Sequence, residues 1–183
     1  MKRFFEQYLK RVDFDISRHG QAVAEASISS SKAGFPNFEP QEQYLIELEK
    51  RIQCAAHDTR NNHLVLLEDE NEILSGLLWL EFLTYPIGFD GDHKLEPWPE
   101  LLGLYGAQIR NTWVSERYRG RGIASTLKRD AEAIASSQKA HFLYTRCAKS
   151  NTGIISLNRK LGYHIIDEDG DYFRMRKLLI NGM

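Results

Sequence analysis

Arg117-Tyr118-Arg119-Gly120-Arg121-Gly122 is the stretch whose reading decides the fold. Before it runs Leu104–Val114, an apolar segment that reads as a strand. After it comes Ile123–Gln138, where Ile123, Leu127, Ala131, Ile134 and Ala135 form one helical stripe with Lys128, Arg129 and Glu132 outside it. The order is strand, glycine turn, helix. A helix start exposes unpaired N–H groups and partial positive charge, so it attracts phosphate. Glycine lets backbone approach a ligand with no Cβ between them. Arg117, Arg119 and Arg121 crowd an end where the dipole disfavours cations by roughly 0.3–1 kcal/mol each, which makes sense if a multiply charged anion occupies the site. The plainer reading of a lone Arg-x-x-Gly-x-Gly is a solvated basic turn.

Outward from the turn, the spacing predicts a strand at Phe142–Cys147 and a helix from Thr152 to Leu161 stopped by Gly162. Two closing strands, Tyr163–Asp167 and Asp171–Leu179, flank a turn at Glu168-Asp169-Gly170. Upstream, His63–Leu67 and Ile73–Leu83 flank the polar turn Glu68–Glu72 as a hairpin, and Leu104–Val114 is expected antiparallel to its second strand. Between them lies a long connection, Thr84–Gly103, of a kind usually functional or mobile. Gln41–His57 is amphipathic through Tyr44, Leu45, Leu48, Ile52 and Ala55. Ser17–Lys32 reads as an Ala- and Ser-rich helix, and Phe4, Phe5, Tyr8 and Leu9 fit a short first one. Together these give an α/β (α+β) fold: a mixed, mostly antiparallel sheet flanked by helices. Residues 1–183 are expected to form a single domain, with a helical segment at 1–60 and the motif-bearing core at 61–179.

Other phosphate motifs fit less well. There is no Gly-Lys-Ser/Thr, hence no P-loop. A dinucleotide fingerprint wants a third small residue, which Ser125 loosely supplies, and an acidic residue about 20 positions on, which Phe142–Cys147 lacks. Val114 through Ala124, VSERYRGRGIA, instead resembles the Gln/Arg-x-x-Gly-x-Gly/Ala signature of the GNAT superfamily of acyl-CoA N-acyltransferases, carried by Arg117, Gly120 and Gly122. NTGIISLNRKLGY resembles the family's second element through Asn151, Leu157, Lys160, Leu161, Gly162 and Tyr163. Both motifs agree in order and spacing, and the likeness covers roughly Asn61–Leu179.

The resemblance implies a sheet splayed between Leu104–Val114 and Phe142–Cys147, with the pantetheine arm of acetyl-CoA in the opening. The backbone of Trp113 and Val114 would pair with the arm. The amides of Arg119, Gly120, Arg121, Gly122, Ile123 and Ala124 would hold the pyrophosphate. It implies direct attack of a primary amine of a small molecule or protein on the thioester, through a tetrahedral intermediate. An alkyl amine with a pKa of about 10.4 costs about 4–5 kcal/mol to deprotonate at pH 7, so a carboxylate or a held water is wanted. Glu81 and Glu116 are the candidate carboxylates, although each also reads as an ordinary surface acid. Gln108 and Tyr105 could position a water, and Tyr144 and Tyr172 could donate a proton. Many family members carry a tyrosine acid in the last helix; that position here is Asn158. Asn158 lies on the helix face expected to point inward with Ile154, Leu157 and Leu161, either as a structural hydrogen bonder or as a contact to the CoA arm. Asn151 is a helix N-cap first and a cofactor contact second.

The 183 residues suit one domain burying roughly 70% of its unfolded surface. Hydrophobic content of 42% and charged content of 27% are those of a soluble globular chain. A net charge of −1 opposes general nucleic-acid binding. No apolar run approaches the ~20 residues of a membrane helix, and no signal peptide is visible, so a cytoplasmic protein is expected, monomeric or a homodimer. Cys54 and Cys147 match no metal spacing and read as reduced, buried thiols; no metal is expected. Asp167, Glu168, Asp169 and Asp171, with Asp90, Asp92 and Glu96 in the long connection, favour a cationic amine if they rim the acceptor groove. A non-catalytic CoA-binding regulatory module is the main rival function. A nucleotide-binding domain without acyl chemistry is a third.

Overall fold

The computed structural model describes residues 8–84 and 102–179. The short helix expected around Phe4 and Phe5, and most of the connection after Thr84 with its acidic residues, fall outside them. The elements run β1 (Lys10–Val12), α1 (Ile16–Gly34), α2 (Glu42–His57), β2 (Asn62–Glu68), β3 (Leu74–Thr84), β4 (Tyr105–Val114), a 3₁₀ turn (Glu116–Tyr118), α3 (Ile123–Ser137), β5 (Phe142–Ala148), α4 (Thr152–Lys160), β6 (His164–Asp169) and β7 (Tyr172–Leu178). The strands form one sheet in the order β1-β2-β3-β4-β5-β7-β6. Every pair is antiparallel except β4–β5, as a strand–helix–strand crossover requires. The mixed α/β architecture expected from the sequence is the one observed. Strand β1 was not anticipated: three residues beside two aromatics carry too little alternation to read.

The two faces of the sheet are covered differently. Leu78, Leu80 and Phe82 of β3, Ala107 and Ile109 of β4, and Leu143 and Cys147 of β5 pack under Leu127 and Ala131 of α3 and Ile155 of α4. On the other face Leu66, Leu77 and Trp79 meet Val23 and Ala26 of α1 and Leu48, Ile52 and Ala55 of α2. Burying each valine, leucine or isoleucine side chain here contributes about 1.5–3 kcal/mol, and this holds α1 in place despite its serines. Asp15 caps α1, its carboxylate accepting from the Ser17 amide at 2.8 Å. No Cβ would fit at Gly106, because the Phe142 ring lies directly over it.

Several local expectations need correction. Lys128, placed outside the α3 stripe, is 1% exposed. The buried residues of α4 are Ile155 and Asn158, with Ile154, Leu157 and Leu161 only half-buried. Cys147 is buried as expected, but Cys54 is exposed. The final hairpin turns at Gly170 and Asp171, two residues later than expected, so Glu168 and Asp169 belong to β6.

Candidate functional site

Strands β4 and β5 pair over only three residues, Ala107↔Leu143, Gln108↔Tyr144 and Ile109↔Thr145. Beyond Ile109, β4 continues to Val114 along β3 alone. At that point β4 also bulges: Leu80 faces Ile109 and Trp79 faces Asn111, so Arg110 is the extra residue. The bulge reverses the alternation. Ile109 points to the α3 face, Arg110 and Asn111 both reach the α1–α2 face, and Val114 returns to the α3 face. The sheet therefore has a gap beside residues 110–114, with groups on either side of it.

The glycine turn lies at the end of that gap. Gly120 has φ 74° and Gly122 φ 81°, left-handed values that cost other residues about 1–2 kcal/mol. Gly122 is the N-cap of α3 and supplies no side-chain cap. The Thr126 amide is the first to close back, onto the Gly122 carbonyl at 3.0 Å, so the amides of Ile123–Ser125 are those a helix leaves for another partner. A Cβ on Gly120 would meet nothing within 4 Å, so the space over the turn is open.

The turn is anchored from below. Tyr118, 6% exposed, donates from its hydroxyl to Asp69 Oδ2 at 3.2 Å. Burial pushes the Asp69 carboxyl upward, but the Ile73 and Asn71 amides, the Tyr118 hydroxyl and Arg117 outweigh it and leave Asp69 below its ordinary value. Burial, then the bond to Asp69, raises the Tyr118 hydroxyl. Arg117 stands 3.8 Å from Asp69. Arg119 donates from Nε to the Val114 carbonyl at 3.1 Å and pairs with Glu116. Arg121 lies over the Tyr118 ring, 5.7 Å from its centroid. Arg117 and Arg119 remain about half or more exposed, at 64% and 47%.

Across the sheet, a cavity of about 160 Å³ opens between α1, α2, β3 and β4. Its walls include Ser27, Tyr44, Arg51, Glu81, Arg110 and Asn111. Glu81 accepts from Arg110 Nε. Asn111 donates from Nδ2 to Ser27 Oγ at 2.9 Å, while its Oδ1, buried, has no partner. Such an orphaned acceptor costs about 1–3 kcal/mol unless a ligand or water meets it. Glu81, Gln108 and Tyr144 are register partners across β3, β4 and β5 and so share this face. Tyr105, two places from an α3-face residue, stacks on Phe82 with ring centroids 5.7 Å apart; it is separated from Gln108 and cannot hold a water with it. Glu116 is a surface acid, its side chain 87% exposed.

Asn158 is 0% exposed. Its Nδ2 donates to Cys147 Sγ at 3.1 Å and reaches Met175 Sδ at 3.6 Å, while Oδ1 has no partner. Its partners are sulfurs on β5 and β7, and it has no exposed surface. Asn151 is the N-cap of α4, accepting from the Ile154 amide at 3.2 Å. Nearby, burial lowers the Lys128 ammonium to about 8, with Cys147 and Glu132 opposing. Burial also pushes up the Cys147 thiol and the Tyr163 hydroxyl. Lys128 Nζ sits 5.4 Å from the Tyr163 ring centroid.

A family profile described as Acetyltransferase (GNAT) family matches residues 28–163. The chain belongs to that family. No curated protein matches the sequence. Among solved structures, the chain is similar to a PaiA N-acetyltransferase from Thermoplasma acidophilum in complex with coenzyme A, at 16% identity and TM-score 0.68, covering 93% of this chain and 98% of that one. It is similar also to a spermidine N-acetyltransferase from Vibrio cholerae in complex with CoA and spermine, at 19% identity and TM-score 0.65, covering 94% and 96%. A third is Naa20 from Chaetomium thermophilum in complex with a bisubstrate analogue, at 18% identity and TM-score 0.63, covering 94% and 87%. At these identities the likeness is one of fold.

For this GNAT chain, the structure groups the sequence-predicted residues into three sets. The two-glycine turn and β4 stand together at the gap, Glu81 and Gln108 lie on the opposite face, and Asn158 is sealed beneath α4. Tyr172 packs against Phe35 at 5.0 Å and under the Arg146 guanidinium at 3.8 Å, so it is a packing residue. Arg51, Arg110 and Asn111, which line the cavity, and Asp69 and Tyr118, which brace the turn, were not singled out in the sequence. For Tyr118 the signal was present, an aromatic between two arginines in a turn, which must bury its ring somewhere. Three of the four hairpin acids are paired: Arg174 meets Asp167 at 2.6 Å and Asp169 at 2.8 Å, and Lys149 meets Glu168 at 2.8 Å, while Asp171 is exposed. Among the described residues no helix is long and apolar enough to cross a membrane, and no cluster of His, Cys, Asp or Glu suits a metal.

Proposed function

We propose that the protein is an acetyl-CoA-dependent N-acetyltransferase acting on a primary amine, built as a single domain. The observation that carries this reading is the coincidence of three features: the gap beside residues 110–114, the open two-glycine turn at its end, and the Glu81–Asn111 cavity directly across the sheet. The unfilled amides of α3 and the space over Gly120 suit a pyrophosphate. The backbone of Trp113 and Val114 suits an extended arm, although the Val114 carbonyl already accepts from Arg119. Asn151, as the cap of α4, would border the same gap. When bound, acetyl-CoA supplies the acyl group as a thioester. The chain's own part is then to hold and deprotonate the amine. Glu81 Oε accepts the ammonium proton, directly or through a water steadied by Gln108, and Asn111 Oδ1 holds the remaining N–H. The spermine in the Vibrio cholerae relative is consistent with an acceptor that arrives as an ammonium ion.

Free-thiol release from acetyl-CoA against a panel of amines tests this: release should require an amine and yield an N-acetyl product. A non-catalytic CoA-binding module is the second reading, favoured by the burial of Asn158 where the family's usual tyrosine acid stands. It predicts a melting shift with CoA and no thiol release with any amine.

A further inference from the structure

Granting acetyl transfer at this site, the charge of the cavity narrows the acceptor. Among its described lining residues the charges are Arg51, Arg110 and Glu81, and Glu81 is already paired with Arg110. The described lining thus sums to a positive charge, and Arg51 is the cation in it that no described carboxylate pairs with. Beside it stands the opposite kind of group, the Asn111 Oδ1, which only accepts and has no partner, on a residue 8% exposed. One wall therefore wants an N–H donor and another wants an anion. A polyamine offers donors alone and brings a second ammonium toward Arg51. Of the acidic residues of the β6–β7 hairpin, Asp167, Glu168 and Asp169 each meet a cation, which leaves only the exposed Asp171 of that group to offset it. The volume of about 160 Å³ is also below the roughly 300–1,000 Å³ of drug-sized sites, so the occupant is small.

We infer that the acceptor is a small amino acid, an amine and a carboxylate in one molecule, with its nitrogen at Asn111 Oδ1 and Glu81 and its carboxylate at Arg51. In the reaction the N–C(acyl) bond forms and the C–S bond breaks. One ammonium proton goes to Glu81; the second, lost from nitrogen as the tetrahedral intermediate collapses, goes to the departing sulfur, so CoA leaves as the free thiol.

The test uses matched pairs that differ only by the carboxylate: leucine against isopentylamine, ornithine against putrescine, and 4-aminobutyrate against propylamine, with spermine as a polycation. Thiol release is followed at saturating acetyl-CoA. At least one amino acid should exceed its partner amine and spermine tenfold or more in kcat/KM. In Arg51→Gln, whose side chain is exposed and whose melting temperature should match the parent, that ratio should collapse through a raised KM for the amino acid. Preference for spermine or the plain amines overturns the inference while acetyl transfer stands. An Arg51→Gln variant that shifts both members of a pair equally also overturns it. Absence of release with every amine, with CoA still raising the melting temperature, overturns the proposed transferase itself.

Discussion

The two sides of the β4–β5 gap solve opposite problems with different materials. On the α3 side the open surface is backbone: two left-handed glycines and the open first turn of a helix, braced from beneath by Tyr118 and Asp69. On the α1–α2 side it is side chains from four separate elements, with charges mostly compensated and one buried acceptor left over. Backbone amides present one fixed pattern of donors and suit a ligand part that never varies. Side chains can be exchanged singly, so they suit the part that does. On this view, changes on the α3 side should act on cofactor binding as a whole, and changes across the sheet should act on turnover and choice of acceptor.

The largest expected effect is at Gly122. Valine there must adopt φ near 81°, a genuine outlier for a β-branched residue, and it also puts carbon where phosphate approaches. Gly122→Val should weaken CoA binding at least 100-fold by calorimetry while costing the fold only about 1–3 kcal/mol. Unchanged affinity would move the cofactor away from the turn. Across the sheet, Glu81→Gln should lower kcat by about 10²–10⁴ and leave CoA affinity untouched. A fall in CoA affinity instead would merge the two sides into one site.

Lys128 lies beneath the α3 side and gives a sharper, smaller effect. Its ammonium titrates at about 8 in the folded protein against about 10.4 unfolded. Between these values the unfolded state binds more protons, so this group's contribution to stability rises with pH. Below pH 8 it is a penalty of about 3 kcal/mol. Lys128→Met should therefore be more stable than the parent at pH 7, with the advantage shrinking as pH approaches 10.5. A constant difference across that range would show that the ammonium is not desolvated. Tyr163 acts in the opposite sense: with its hydroxyl raised by burial, its contribution holds below pH 10 and is lost above.

The smallest expected change in turnover is at Asn158. Asn158→Ala removes the donor to Cys147 and Met175 and leaves a small void, so it should cost about 1–3 kcal/mol of stability and leave kcat at saturating substrate within about twofold. A large fall in kcat with an intact fold would restore the residue to the chemistry.

The α3 side was legible in the sequence because its determinants are local: Gly120 and Gly122, the stripe from Ile123 to Ala135, and the strand before them. The cavity side was not, for a specific reason. Alternation along β4 places Asn111 on the same face as Ile109, and only the bulge at Arg110 turns it to the α1–α2 face. Nothing in residues 105–114 announces that extra residue. Arg51 looks like any solvent-facing arginine of an amphipathic helix until α2 is docked. Lys128 defeats the rule that charge faces water: it sits between Ala124 and Ala131 in the helical wheel, and the fold buries it there with Glu132 and the Tyr163 ring nearby. Glu81 stands out in the sequence as the one carboxylate of strand β3.

Amide hydrogen–deuterium exchange of the protein with and without acetyl-CoA tests the central claim most directly. New protection should concentrate in residues 112–114 of β4 and 120–125 of the turn and first helical turn, with the β2–β3 hairpin unchanged. Protection that appears elsewhere, or none at millimolar acetyl-CoA, would contradict it.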